Sequence, residues 1–129
     1  MPYIYAQAAA LHGTDKVGSK QCVALVQHYA AAPNTGAWRE GARVIGPGTV
    51  PVGVAIATFS GGRYASHGTG NHAAFLLSRD AGGIWVVDQW NDNTTKPKVS
   101  KRFIRRKGRS KSGQLVDPSN NADAYSVIE

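Results

Sequence analysis

The chain is short of cysteine, methionine and acid, and it contains no long apolar run. A single cysteine, Cys22, rules out an internal disulfide framework and any zinc site of the paired-cysteine kind. The four histidines show no HExxH-like spacing, so neither a metal nor an organic cofactor is expected. No apolar stretch approaches the roughly 20 residues that span a bilayer, which predicts a soluble protein. The opening Met1-Pro2-Tyr3-Ile4-Tyr5-Ala6-Gln7 has neither the basic region nor the continuous apolar core of a secretory signal, so the general secretory route is not expected. Internal repeats and heptads are absent. At 129 residues the chain suits one domain over 1–129 with a real core and is too short for two ordinary ones.

What is present begins with charge. The net charge of +7 is concentrated in Lys96, Lys98, Lys101, Arg102, Arg105, Arg106, Lys107, Arg109 and Lys111, which supply +9 while the rest sums to −2. A segment of this kind suits nucleic acid, a membrane surface, an anionic wall polymer or an acidic protein, or is simply a solvated strand and loop.

Periodicity gives the elements. Positions 22, 25, 26 and 29 follow the i, i+3, i+4, i+7 rhythm of an amphipathic helix, with Ser19 as its N-cap and a start near Lys20. The helix runs to about Ala31 and stops at Pro33 and Gly36. Before it, residues 1–16 form a lead-in with a helical turn over Ala6 to Leu11, and Tyr3 and Tyr5 pack on the domain. Trp38 to Gly41 reads as a second helical turn. Strands are expected at 54–59, 72–77, 84–90, 99–104 and 124–128, with a flexible loop over Arg63 to Asn71 and a polar loop over Lys107 to Asn121. A helix followed by four or five antiparallel strands is an α+β arrangement.

A thiol in the first turn of a helix feels the positive end of the dipole and unpaired N–H groups, which favour the reactive thiolate. Such a nucleophile needs a base, and the base needs an orienting group. His72, at the start of a strand after a Gly and Asn loop, is the best placed. His67 lies inside that loop and ranks second. His12 is in the lead-in, and His28 is about 240° around the helix axis from Cys22. A five-residue loop over Ser78 to Gly82 pairs Leu77 with Gly83 and hence His72 with Asp88; a six-residue loop pairs His72 with Gln89 instead. Asp88 is preferred, because a carboxylate both orients the ring and stabilises imidazolium. It is also costly inside an apolar strand unless it has a partner. The backbone N–H of Cys22 and the side chain of Gln21 are candidate oxyanion donors. Tyr64, Asn71 and Trp90 are candidate walls of a substrate groove.

Several of these stretches occur together, in order, in a known family. Val17-Gly18, Gln21 to Gln27, Ala55 to Phe59 with Gly62-Arg63-Tyr64, Gly70 to Phe75, and Val87-Asp88-Gln89-Trp90 resemble the type VI secretion amidase effectors. These are small papain-like peptidoglycan hydrolases of the NlpC/CHAP superfamily. The likeness runs from about Tyr3 to Ile128. It implies a papain-like fold, with the helix packed on an antiparallel sheet of four to six strands. It also implies Cys22 as nucleophile, His72 as base and Asp88 as the third residue. The substrate would be peptidoglycan peptide stems, cut at the diaminopimelate to D-alanine cross-link or at the D-glutamate to diaminopimelate bond. Resemblance further implies synthesis in the cytoplasm without a signal peptide, delivery by the type VI secretion apparatus to the periplasm of target bacteria, and a cognate periplasmic immunity protein. One position departs from the family pattern: Lys20 stands where Gly often precedes the Gln-Cys pair, and Lys resists positive φ.

Two other functions are carried alongside. A nucleic-acid-binding module built on 96–111 is disfavoured by the scarcity of stacking aromatics there, since only Phe103 interrupts the charges. A papain-like acyltransferase would use the same Cys and His but leave sacculi intact.

Overall fold

The computed structural model describes residues 1–65 and 69–129. The candidate base His67 and the centre of the loop expected over 63–71 lie outside the described residues. Among these residues one α-helix, α1 (Cys22–Ala30), accompanies a sheet of strands β1 (Glu40–Arg43), β2 (Ala55–Ser60), β3 (Arg63–Tyr64), β4 (Ala73–Asp80), β5 (Gly83–Asp88), β6 (Ser100–Arg105) and β7 (Tyr125–Ile128). All pairings are antiparallel, in the order β1-β7-β2-β4-β5-β6, with β3 folded back on the end of β2.

Among the described residues the sheet therefore has seven strands, more than the four to six expected. The additions are the segments read as turn and loop: Glu40–Arg43 pairs with β7, and Arg63–Tyr64 forms a hairpin with β2. Both are too short and too polar to show an alternating pattern. The C-terminal strand lies inside the sheet, between β1 and β2, where Ile56 faces Val127 and Ala57 faces Ser126. The lead-in turn is a 3-10 helix at Ala8–Leu11, and Tyr5 stacks between Tyr29 and Phe75 at 5.1 and 6.0 Å between ring centroids.

Alternation splits the core between the two faces of the sheet. Ala55, Ala57, Ala73, Phe75 and Val87 face Leu25 and Val26 of α1, and the three alanines let the helix lie close to the sheet. Ile56, Ala74, Leu76, Ile84, Val86, Ile104 and Val127 face the other way, under Val44, Ala122 and Tyr125. Each fully buried Leu, Ile, Val or Phe stabilises this arrangement by about 1.5–3 kcal/mol. Among the described residues, no helix is long and apolar enough to cross a membrane.

The β4–β5 hairpin differs from the five-residue loop expected. Asp80 pairs with Gly83 across a two-residue turn, Ala81-Gly82, and its Oδ1 accepts the N–H groups of Gly82 at 2.7 Å and Gly83 at 3.1 Å. A bulge between Leu76 and Ser78 then shifts the register, so that Leu76 faces Val86 and Phe75 faces Val87.

Candidate active site

The turn before α1 sets the position of the thiol. Gly18 and Lys20 both have left-handed backbone conformations, φ 58° and 67°, and the Lys20 N–H donates to the Val17 carbonyl at 2.9 Å. A left-handed residue cannot belong to a right-handed helix. The helix therefore starts at Cys22 rather than near Lys20, with Gln21 and not Ser19 as N-cap. Ser19 Oγ instead accepts the Gln21 N–H at 3.4 Å within the turn. Lys20 adopts positive φ despite its side chain, where Gly would do so without strain.

Gln89 holds this turn from the sheet. Its Oε1 accepts the Val17 N–H at 3.0 Å, while its Nε2 donates to the carbonyls of Val17 at 3.1 Å and Gln21 at 2.8 Å. Fully buried, it orients the approach to Cys22 and not the His72 ring. The Gln21 side chain, at an exposed position, makes no capping bond.

His72 sits immediately before β4. Its backbone is clamped by Thr58, whose Oγ1 accepts the His72 N–H at 3.1 Å and whose N–H donates to the His72 carbonyl at 3.0 Å. Asp88 Oδ2 lies 2.7 Å from His72 Nε2. Extending the β4–β5 register past Phe75–Val87 sets His72 opposite Trp90, two residues beyond Asp88. The contact is thus a diagonal one along a shared face, not the directly opposite pair expected from the hairpin. The bulge decides it: an unbulged ladder would turn Gln89, rather than Asp88, toward the face of His72.

With Nε2 engaged by Asp88, the ring nitrogen left for the thiol is Nδ1, and Cys22 lies within hydrogen-bonding reach of His72. The Tyr64 hydroxyl is 3.8 Å from Cys22 Sγ, and its ring packs edge-on against Trp38 at 5.0 Å. Tyr64, expected as a groove wall, therefore meets the sulfur itself. Asn71 lines a cleft of about 230 Å³ with Thr58, Phe59, Gly70, Gln114 and Pro118. His12 Nδ1 accepts the Lys101 N–H at 3.0 Å, and His28 packs on Tyr29 at the far end of α1.

Two residues that composition only marked as basic complete the site. Arg102 Nε donates to Asp88 Oδ2 at 2.7 Å, and Lys96 Nζ lies 2.8 Å from Oδ1 as an ion pair without hydrogen-bond alignment. The Trp90 ring covers both cations, 4.6 Å from Lys96 Nζ and 5.3 Å from the Arg102 guanidinium carbon, with its centroid 6.1 Å from that of His72. Trp90 is therefore a roof over the ion cluster. Nothing in the local sequence distinguishes Lys96 or Arg102 from the other cations nearby.

The protonation states follow from these contacts. Burial pushes the Cys22 thiol up, but the hydrogen bond and charge of His72, the Ala73 backbone and the Tyr64 hydroxyl together bring it below its ordinary value. Burial likewise opposes charging of His72, and Asp88 and Cys22 outweigh it, so the imidazole titrates above its usual value. Asp88 is penalised by burial yet held well below the carboxylate range by His72, Arg102 and Lys96. Burial, together with the neighbouring sulfur, pushes the Tyr64 hydroxyl far up, so it remains a donor. Among the described residues, no three His, Cys, Asp or Glu side chains are grouped to hold a metal ion.

A sequence profile of the family described as domesticated amidase effector 2 matches residues 4–128. The chain belongs to that family. It is 52% identical to the type VI secretion amidase effector 2 protein of Salmonella typhi over 133 aligned positions, with both chains covered in full. It is 38% identical to the domesticated amidase effector 2 of Ixodes scapularis over 123 positions, 91% of this chain and 74% of that one. A solved structure of type 6 secretion amidase effector 2 superimposes with a TM-score of 0.92 at 50% identity, covering 98% of this chain and 94% of that one. The chain is thus an amidase effector of α+β, papain-like fold. Amide hydrolysis through a covalent intermediate calls for a nucleophile, a proton donor for the leaving amine and a donor for the oxyanion, and side chains chemically able to fill such roles converge at the start of α1.

Proposed function

We propose that this chain hydrolyses an amide bond in the peptide stems of bacterial peptidoglycan, with Cys22 as nucleophile, His72 as general base and acid, and Asp88 as the orienting carboxylate. One observation carries this reading: in a member of an amidase family, the sole cysteine opens a helix within reach of a His whose other ring nitrogen is 2.7 Å from a buried Asp. The Cys22 thiolate attacks the amide carbonyl, and the C=O electron pair moves onto oxygen. The Cys22 N–H, with the Gln21 side chain, stabilises that oxyanion, while Tyr64 donates to the thiolate in the resting site. The intermediate collapses as the imidazolium gives its proton to the leaving amine. His72 then takes a proton from water, which attacks the thioester and frees the stem carboxylate and the Cys22 sulfur. Asn71 lines the cleft we assign to the stem, and Trp90 roofs the ion cluster beside His72.

The bond we assign is the diaminopimelate to D-alanine cross-link, with the D-glutamate to diaminopimelate bond as the alternative. As a type VI secretion effector, the protein would pass through that apparatus into the periplasm of target bacteria. A periplasmic immunity protein that fills the groove would guard sister cells. Mass spectrometry of purified sacculi digested with the protein tests both parts: fragments ending at the cross-link are expected, and stems cut after D-glutamate would reverse the bond assignment. Cys22→Ala is expected to release no fragments, and normal release by that variant would overturn the mechanism.

A further inference from the structure

The buried carboxylate of Asp88 has three cationic or potentially cationic neighbours where an orienting carboxylate needs one. His72, Asp88 and Lys96 are 5%, 0% and 4% exposed. A buried lysine is expensive unless it is paired and hydrogen-bonded. Lys96 has three partners in compensation: Asp88 Oδ1, the Ser100 carbonyl at 3.3 Å and the face of Trp90. Arg102 also links Asp88 to the loop beside the cleft, donating to Asn120 Oδ1 at 3.1 Å and to the Ser119 carbonyl at 3.4 Å.

We propose that Lys96 and Arg102 are positioning residues that clamp Asp88 and set the pH window in which Cys22 and His72 form a thiolate–imidazolium pair. This rests on the mechanism proposed above and deepens it. With Asp88 ionised, Lys96 and Arg102 leave the cluster at a net +1 before His72 takes up a proton. Part of the field that would favour imidazolium is cancelled, and the same positive charge favours the thiolate. Both titrations are drawn downward together, so the window moves without closing. Among the described residues, the other titratable groups facing the pair are Tyr64 from β3 and Tyr125 from β7. Both are held in the neutral phenol form, Tyr64 by burial first and Tyr125 by burial first, so neither replaces the missing charge.

Lys96→Met removes the charge and keeps most of the volume; Lys96→Arg restores the charge. In a Cys22→Ala background, the His72 ring titration followed by NMR is expected to rise by about one pH unit in Lys96→Met, from a unit charge several ångströms away at an intermediate dielectric. Lys96→Arg should return it toward the starting value. In protein with Cys22 intact, both limbs of the pH–rate profile for fragment release from purified sacculi should move upward by a similar amount. Folded Lys96→Met with an unmoved His72 titration overturns the proposal. Should that variant not fold, Arg102→Gln carries the same expected direction and the same overturning result. The titration is independent of turnover: sacculi cut by Cys22→Ala would remove the mechanism while leaving the clamp, and an inert Cys22→Ala with an unmoved titration would do the reverse.

Discussion

At the scale of single residues, Asp88 has the largest expected effect. Asp88→Ala leaves the His72 ring unoriented and the Lys96 ammonium buried without its counter-ion. We expect a loss of about 3 kcal/mol in stability by denaturant unfolding, as for other broken buried pairs. Fragment release should fall by about 10³–10⁴-fold, the range seen when an orienting carboxylate is lost. Because the carboxyl titrates far lower in the folded protein than in the unfolded chain, its stabilisation is present above the ordinary carboxylate range and fades as pH falls through it toward the folded value. The stability difference between the wild type and Asp88→Asn should therefore shrink below about pH 4, and a difference constant down to pH 2 would contradict the pairing. Tyr64→Phe tests the hydroxyl at the sulfur: a fall of roughly tenfold or more in fragment release with unchanged stability is expected, since one donor is lost from a preorganised site. Cys22, His72 and Asp88 were all legible as candidates, because each is a reactive or costly residue in an otherwise apolar or turn-forming stretch. Lys96 and Arg102 were not, since a cation among cations shows nothing of where its side chain will be buried.

At the scale of elements, α1 and the strands β2, β4, β5, β6 and β7 are set by apolar spacing and lie within about three residues of where the pattern predicts them, whereas β1 and β3 are too short and polar to show in it. The boundaries that matter most for the site were decided otherwise. The start of α1 depends on left-handed backbone at Gly18 and Lys20, and the face of Asp88 depends on a bulge at Leu77. Lys20→Gly should relieve the strained turn and raise stability by about 0.5 kcal/mol in thermal or denaturant unfolding, the relief being partly offset by greater unfolded-state entropy. The β5–β6 crossing is tight in a different way. A Cβ at Gly83 would lie 2.2 Å from the Ile104 carbonyl oxygen and 2.9 Å from the Phe103 ring. Gly83→Ala is expected to cost about 3 kcal/mol or more, as forced overpacking against backbone does, and a wild-type unfolding midpoint would show that β5 and β6 can separate there cheaply.

At the scale of the whole molecule, the basic segment divides into two parts. Lys96 and Arg102 are committed to Asp88, Lys98 pairs with Asp15, Arg106 with Asp123 and Lys107 with Asp117. Lys101, Arg105, Arg109 and Lys111 are exposed and form no ion pair among the described residues. Binding of the Cys22→Ala protein to sacculi, rich in carboxylates, should weaken as salt rises from about 0.1 M to 1 M and the screening length falls from about 10 Å to 3 Å. Salt-independent binding in a sedimentation assay would remove these cations from substrate capture. The same exposed charges are the part of the segment open to nucleic acid, and the burial of Lys96 and Arg102 reduces what such a surface can offer.

The apolar face of the helix, the five core strands in their order and the thiol at a helix start were all readable from the chain alone. Those features follow from local spacing and from the chemistry of single side chains. Which residue touches His72, where the C-terminal strand inserts, and which cations leave the solvated segment to close around Asp88 were settled by the folded chain. Those outcomes depend on a one-residue register shift and on pairings between positions far apart in the chain, and neither leaves a periodic trace in the order of residues.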